Sequence, residues 1–242
     1  MKGFRDDSDK PTNTIAADEG VFPLPLSPFE RYMVLDDSDA YPMSIVLIAR
    51  LKGDLRRAVF EESVEFALRR HPLLMSKISK VRGLGWCWIP VENPSPQMSW
   101  VENEDGFQPP DHERIDLTRE IGLRIWVSKT PDAAELVFEF HHACTDGIGG
   151  VQFIGDLLAC YGQKTSVEGA EAPEIEPIQI DRLKARSNFS SDAGEAPSKK
   201  VSCPMMLKIN IYAMLMVFQE ETPLRTMLLL ISEGIFSCFV RK

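Results

Sequence analysis

Long uninterrupted apolar runs are missing from this chain. None reaches the ~18 residues that a membrane span needs, so no transmembrane helix is expected. The first twenty residues lack the apolar stretch of a secretory signal; they are polar and charged throughout. Cysteine gives no framework either. Cys87, Cys144, Cys160, Cys203 and Cys238 are odd in number, scattered and without a CxxC pair. That argues against a disulfide scaffold and a zinc ribbon and for reduced thiols in a cytoplasmic protein, free or at a membrane surface. Positive charge is short: 27 Lys and Arg stand against 36 Asp and Glu, a formal net charge of −9. Nucleic acid is therefore a poor partner. No GxSxG elbow announces a serine hydrolase. No GxGxxG or Lys-Ser/Thr follows a glycine run, so a phosphate loop is poorly signalled.

What the chain does have is apolar mass, 44% of 242 residues, enough for one large domain or two small ones. Residues 1–22 read as a disordered lead. Ser27-Pro28-Phe29-Glu30 then starts a helix: Ser27 caps it, Pro28 suits the first helical position and Glu30 closes a capping box. Met43 to Leu51 reads as a strand buried on both faces, and Leu55 to Arg70 as an amphipathic helix stopped by His71-Pro72. Leu73 to Ile78 and Gly85 to Val91 predict a hairpin, Met98 to Val101 a short strand, and Gly122 to Ser128 a strand that turns over Thr130 to Ala134. Trp86, Trp88, Trp100 and Trp126 are expected to be buried, because stacking on nucleic acid would need basic neighbours. Residues 163–202, rich in Ala, Glu, Ser, Pro and Asp, read as an exposed linker. Met205 to Phe218 and Leu224 to Val240 are predicted as two apolar helices; Arg225 and Glu233 interrupt the second, so a face awaiting a partner is favoured over a membrane anchor.

The most informative stretch is His141-His142-Ala143-Cys144-Thr145-Asp146-Gly147, with Ile148-Gly149-Gly150 behind it. Glu135 to Phe140 before it alternates as a strand does, which puts Leu136, Phe138, Phe140 and His142 on one face and Val137, Glu139 and His141 on the other. Val151, Ile154, Leu157, Leu158 and Tyr161 after it recur at helical spacing. The segment is thus a strand-to-loop-to-helix junction with two histidines pointing opposite ways.

HHxxxDG in this setting resembles the coenzyme-A-dependent acyltransferase superfamily: chloramphenicol acetyltransferase, the condensation domains of peptide synthetases, and the wax ester synthase/diacylglycerol acyltransferase group. The segments Leu51-Lys52-Gly53-Asp54-Leu55, Arg70-His71-Pro72-Leu73-Leu74 and Leu123-Arg124-Ile125 support the likeness, which covers about Pro23 to Gly162. The resemblance implies an α+β fold, an α/β sandwich with a mixed sheet flanked by helices, as an N-terminal half-domain over residues 23–162. Residues 203–242 would then begin a second half; complete relatives are about twice this length, and a DFGWG motif found in some of them does not occur here. It implies that His142 is the general base, that His141 orients the loop, that Asp146 braces it and that Gly147 lets the chain turn. It also implies acyl-CoA as a co-substrate with no permanently bound cofactor and no metal, a hydroxyl or amine acceptor, and direct attack on the thioester. An imidazole titrating near its usual ~6.5 can accept the acceptor's proton at cellular pH. The lean is to a hydroxyl acceptor, as in the wax ester synthase group. The rivals are a non-catalytic remnant acting as an interaction module, and a peptide-synthetase-type condensation domain.

Blander readings stand beside these. A lone histidine at a strand end is first a structural group, and only the complete motif reverses that weighting. Asp146 could simply cap the next helix or pair with an arginine, Arg31 or Arg124. Cys144 could be a nucleophile beside His142 but reads better as a small filler. His142, Cys144 and Asp146 have metal-ligand chemistry at a spacing no standard zinc site uses. Gly147, Gly149 and Gly150 suit close backbone approach or a turn.

Overall fold

The computed structural model describes residues 20–102, 114–165, 175 and 180–186, and the backbone of two further strands. Leu24–Pro25 (β1) leads into helix α1, Pro28–Asp36, whose capping box forms as the sequence predicts. The Glu30 N–H donates to Ser27 Oγ at 3.2 Å and the Ser27 N–H to Glu30 Oε2 at 2.7 Å. Strand β2, Ser44–Lys52, and helix α2, Arg57–Arg70, follow. Next come the hairpin β3, Ser76–Val81, and β4, Gly85–Pro90, then β5, Gln97–Glu102. Strands β6, Leu123–Lys129, and β7, Ala133–His141, form a second hairpin; helix α3 spans Gly147–Thr165. A 3-10 turn at Ile180–Leu183 precedes strands β8, Asn210–Met214, and β9, Leu228–Leu229.

Two sheets result. The small one runs β1-β4-β3, and the large one β5-β6-β7-β2-β8-β9, antiparallel except where β5 runs parallel to β6. Helices α2 and α3 pack together, and α3 meets β2. Mixed sheets with helices against them fit the expected α+β class.

The period of two along β7 sets the core. Leu136, Phe138 and Phe140 are fully buried, and Phe153 of α3 sits edge-on to Phe138 and Phe140, at ring separations of 6.3 and 5.7 Å. Opposite them in register on β2 are Ala49, Leu47 and Ile45, all buried. Each such large side chain contributes about 1.5–3 kcal/mol by leaving water. Gly150 lets α3 come this close: a Cβ there would lie 2.9 Å from Leu47 Cδ1.

Several expectations need correction. Strand β2 is not buried on both faces. Ile45, Leu47, Ala49 and Leu51 are inside, while Arg50 and Lys52 are exposed and Ser44, Val46 and Ile48 are half-buried. An apolar run with β-branched residues allows either pattern, and the packing of α3 on a single face decides it. The helix expected over Met205–Phe218 meets a strand at Asn210–Met214, pairing Val46 with Met214 through Arg50 with Asn210. The second predicted helix likewise contains strand β9. Short apolar runs carry no period that separates strand from helix, and the open edge of β2 supplies hydrogen bonds that only a strand can meet. Leu73 to Met75 forms a turn rather than a strand, held by bonds such as Leu74 N–H to His71 O at 2.9 Å.

The stretch read as an exposed linker is docked over residues 180–186. Ile180 and Leu183 pack on the core, and Arg186 grips Glu30, Nε to Oε1 at 2.6 Å and Nη2 to Oε2 at 2.9 Å. Residues 1–19, expected as a lead, lie outside the described residues. Trp88 and Trp126 are buried, and Trp86 and Trp100 lie partly buried against the core. Among the described residues no helix is long and apolar enough to cross a membrane.

Candidate active site

Strand β7 ends on His141, and residues 142–144 turn before α3 begins at Gly147. The two histidines therefore differ in setting, His141 in the strand and His142 in the turn. His141 is buried, at 2% exposure. Its backbone N–H donates to Gly122 O at 3.0 Å, and its Nδ1 accepts the Ala143 N–H at 3.1 Å. An accepting Nδ1 leaves the proton of the neutral ring on Nε2, which faces Asp37 Oδ2 at 3.6 Å. His141 is thus a structural brace.

Asp37, just past the end of α1, completes that brace. Its Oδ1 accepts the Met43 N–H at 2.8 Å, and its Oδ2 accepts Arg114 Nη1 at 2.6 Å. Burial pushes this carboxyl up. The His141 ring, the Met43 N–H and the Arg114 guanidinium outweigh burial and hold it below the usual carboxylate range. Arg114 is correspondingly shifted up, first by its bond to Asp37. Sequence reasoning reads Asp36 to Asp39 only as the end of a helix and passes over Arg114. Nothing in the local pattern announces a contact spanning 77 residues.

His142 lies half-buried at the start of the turn, its backbone N–H on Met43 O at 2.7 Å. Its Nδ1 is buried without a hydrogen-bond partner, which leaves Nε2 as the reachable nitrogen. Met43 anchors both sides of the arrangement, its N–H on Asp37 and its carbonyl on His142. The Leu136, Phe138 and Phe140 face is filled by α3, through Phe153.

Asp146 is the cap of α3. Its Oδ1 accepts the Gly149 N–H at 2.7 Å, and its carbonyl accepts the Gly150 N–H at 2.9 Å. The arginine reading is not met, since no ion pair to Asp146 occurs among the described residues. Arg124 binds Glu120 at 2.6 Å and faces Glu139 at 3.7 Å instead. A cap wins because the carboxylate sits at the helix N-terminus, where unpaired N–H groups are nearest. Gly147 has neither a positive φ nor a neighbour within 4 Å of an added Cβ. The close approaches belong to Gly149, whose Cβ would lie 2.2 Å from Thr145 Oγ1, and to Gly150.

Cys144 is buried. Burial first, and the charge of Glu30 second, push its thiol far above the usual range, against a smaller opposing hydrogen bond from the Gly122 backbone. A Cβ on Gly122 would fall 2.2 Å from its Sγ. The thiol is buried and protonated, the setting of a space-filling cysteine. Among the described residues no cluster of His, Cys, Asp and Glu could hold a metal ion.

Behind the site, α3 is pinned to α2. Asp156 Oδ2 accepts Arg70 Nε at 2.8 Å and lies 3.1 Å from His71 Nε2. Burial raises the Asp156 carboxyl, and the His71 and Arg70 partners more than reverse this, leaving it low. His71 also sits edge-on to Phe153, so it both ends α2 and packs against α3.

A cavity of about 240 Å³ opens on the other side of the motif, against His141 rather than His142. Its walls come from α1, the small sheet and residues 114–118.

No family model matches the sequence, and no curated protein matches it. Solved structures do. The starter condensation domain of rhizomide synthetase RzmA is 17% identical with a TM-score of 0.53; the match covers 68% of this chain and 44% of that one. A double mutant of that domain in complex with C8-CoA and Leu-SNAC gives 17% and 0.55, over 67% and 40%. A structure of the X-domain and OxyB from teicoplanin biosynthesis gives 17% and 0.51, over 73% and 40%. The chain spans less than half the length of each, and over about two thirds of its own residues it has the condensation-domain, chloramphenicol-acetyltransferase-like fold.

Proposed function

We propose that this chain contributes the base of an acyl transfer from a coenzyme-A-type thioester to a nucleophilic acceptor. The observation that carries the reading is the placement of His142 at the end of β7, with Nδ1 buried and Nε2 as the reachable nitrogen. The acceptor's oxygen attacks the thioester carbonyl carbon as Nε2 takes the proton from that oxygen. The carbon–sulfur bond then breaks, and the departing thiolate takes the proton back from the imidazolium. The base is regenerated, and no covalent enzyme intermediate forms. His141, Asp37 and Arg114 hold the turn and do not touch the reacting atoms.

The sequence favours a hydroxyl acceptor. A second reading, an amine acceptor as in peptide synthesis, is favoured by the likeness to a condensation domain crystallised with C8-CoA and Leu-SNAC. One assay separates the two: thiol release from octanoyl-CoA by the full chain, with 1-octanol, a diacylglycerol or leucine-N-acetylcysteamine thioester as acceptor. Acceptor-dependent release that His142→Ala removes supports the reading, and the productive acceptor class picks between the two forms. Equal release by both proteins overturns it. No release from either favours an interaction module.

A further inference from the structure

We propose that the cavity beside His141 is a binding site for a small amphiphile with an apolar body and a single anionic head. Its apolar wall is broad: Val34 and Leu35 from α1, Ile78 from β3, Trp86 from β4, and Leu117. At about 240 Å³ it is smaller than the ~300–1,000 Å³ of a drug-sized pocket. A dry apolar cavity of ~150 Å³ already holds benzene. One aromatic ring with a short chain, or an aliphatic chain of similar bulk, matches the space.

The sign of the head follows from which charges are already engaged. Asp37 is consumed by the Met43 N–H and Arg114. Asp116 accepts from the Thr118 N–H at 2.9 Å and the Thr118 hydroxyl at 2.7 Å, and faces Arg119 at 3.3 Å. A cationic ligand would find both carboxylates occupied. Arg31, an exposed residue, also lines the cavity, and its guanidinium has no hydrogen bond or ion pair among the described residues. Arg114, the other arginine of the wall, is already paired with Asp37 and Asp39, and a carboxylate is the natural complement of Arg31.

The occupant would press on His141, whose ring and backbone hold the chain on both sides of His142. The site does not depend on the acyl-transfer reading, because it involves neither Nε2 of His142 nor a thioester.

The probe is 3-phenylpropanoate, with 3-phenylpropanol and 3-phenylpropylamine as comparators, measured by calorimetry and thermal melting on the full chain. Saturable one-to-one binding of the acid that raises Tm is expected. The alcohol should bind about tenfold more weakly, as expected for one partly exposed charge-assisted bond, and the amine more weakly still. Arg31→Gln, an exposed position, should bring the acid down to the alcohol's affinity and leave the alcohol unchanged. Val34→Trp should abolish both, and His142→Ala should change neither. Absence of saturable binding, an amine that binds as well as the acid, or loss of binding in His142→Ala would overturn the proposal. So would an Arg31→Gln protein that keeps the acid's full advantage, which keeps the test decisive if Val34→Trp does not fold.

Discussion

At the scale of residues, the two adjacent histidines sit in different settings because β7 ends between them. His141 still obeys the strand's alternation and is driven inward to Asp37, while His142 enters the turn and keeps one nitrogen reachable. The strand-to-turn-to-helix junction was legible in the sequence, since it needs only a period of two, a motif and a helical spacing. The brace around it was not. Asp37 and Arg114 are ordinary surface residue types, and their meeting with His141 is a product of tertiary packing. Asp37→Asn should therefore cost about 1–3 kcal/mol at neutral pH, the usual cost of leaving buried donors poorly matched. Because the folded carboxyl lies below its unfolded range, its stabilisation is complete above the unfolded value near ~3.9 and disappears as pH falls through the folded one. Denaturant melts of both proteins should differ by a constant amount from pH 8 to about 5 and converge below about 4. A difference that grows towards acid would refute the assignment.

At the scale of elements, the strongest local signals were the most faithful. The Ser27–Glu30 box, the His71-Pro72 stop and the β3–β4 hairpin came through because each is written within a few residues. Segments whose structure depends on a distant partner were misread. Asn210–Met214 becomes a strand because β2 offers an edge, and residues 180–186 dock because Glu30 is available to Arg186. Glu30 joins three elements at once: it caps α1, accepts Trp88 Nε1 at 3.1 Å and takes both ends of Arg186. Arg186→Ala leaves that carboxylate buried and underpaired. The expected loss is on the order of 2–3 kcal/mol, below the ~3–5 of a fully buried pair because Arg186 keeps some contact with solvent. A double-mutant cycle with Glu30→Ala by chemical denaturation measures the coupling. A value near zero would mean that residues 180–186 are not seated on α1.

At the scale of the whole molecule, the sheet brings together the end of β7, the end of α1 and the start of α3, and the motif sits where they converge. Its apolar face is committed to α2 and α3, which leaves the strand ends as the place for the proposed chemistry. The chain spans 40–44% of the condensation-domain structures it resembles, and catalysis needs preorganised geometry with water excluded around the base. Under the proposed function, the neighbouring histidines divide into brace and base. This division is tested most directly by measuring acceptor-dependent thiol release and Tm together for wild type, His141→Ala and His142→Ala. His142→Ala should melt as wild type does but lose release by about 100-fold or more, of the order expected for a general base, whereas His141→Ala should melt several degrees lower. Release by His142→Ala at the wild-type rate would contradict it.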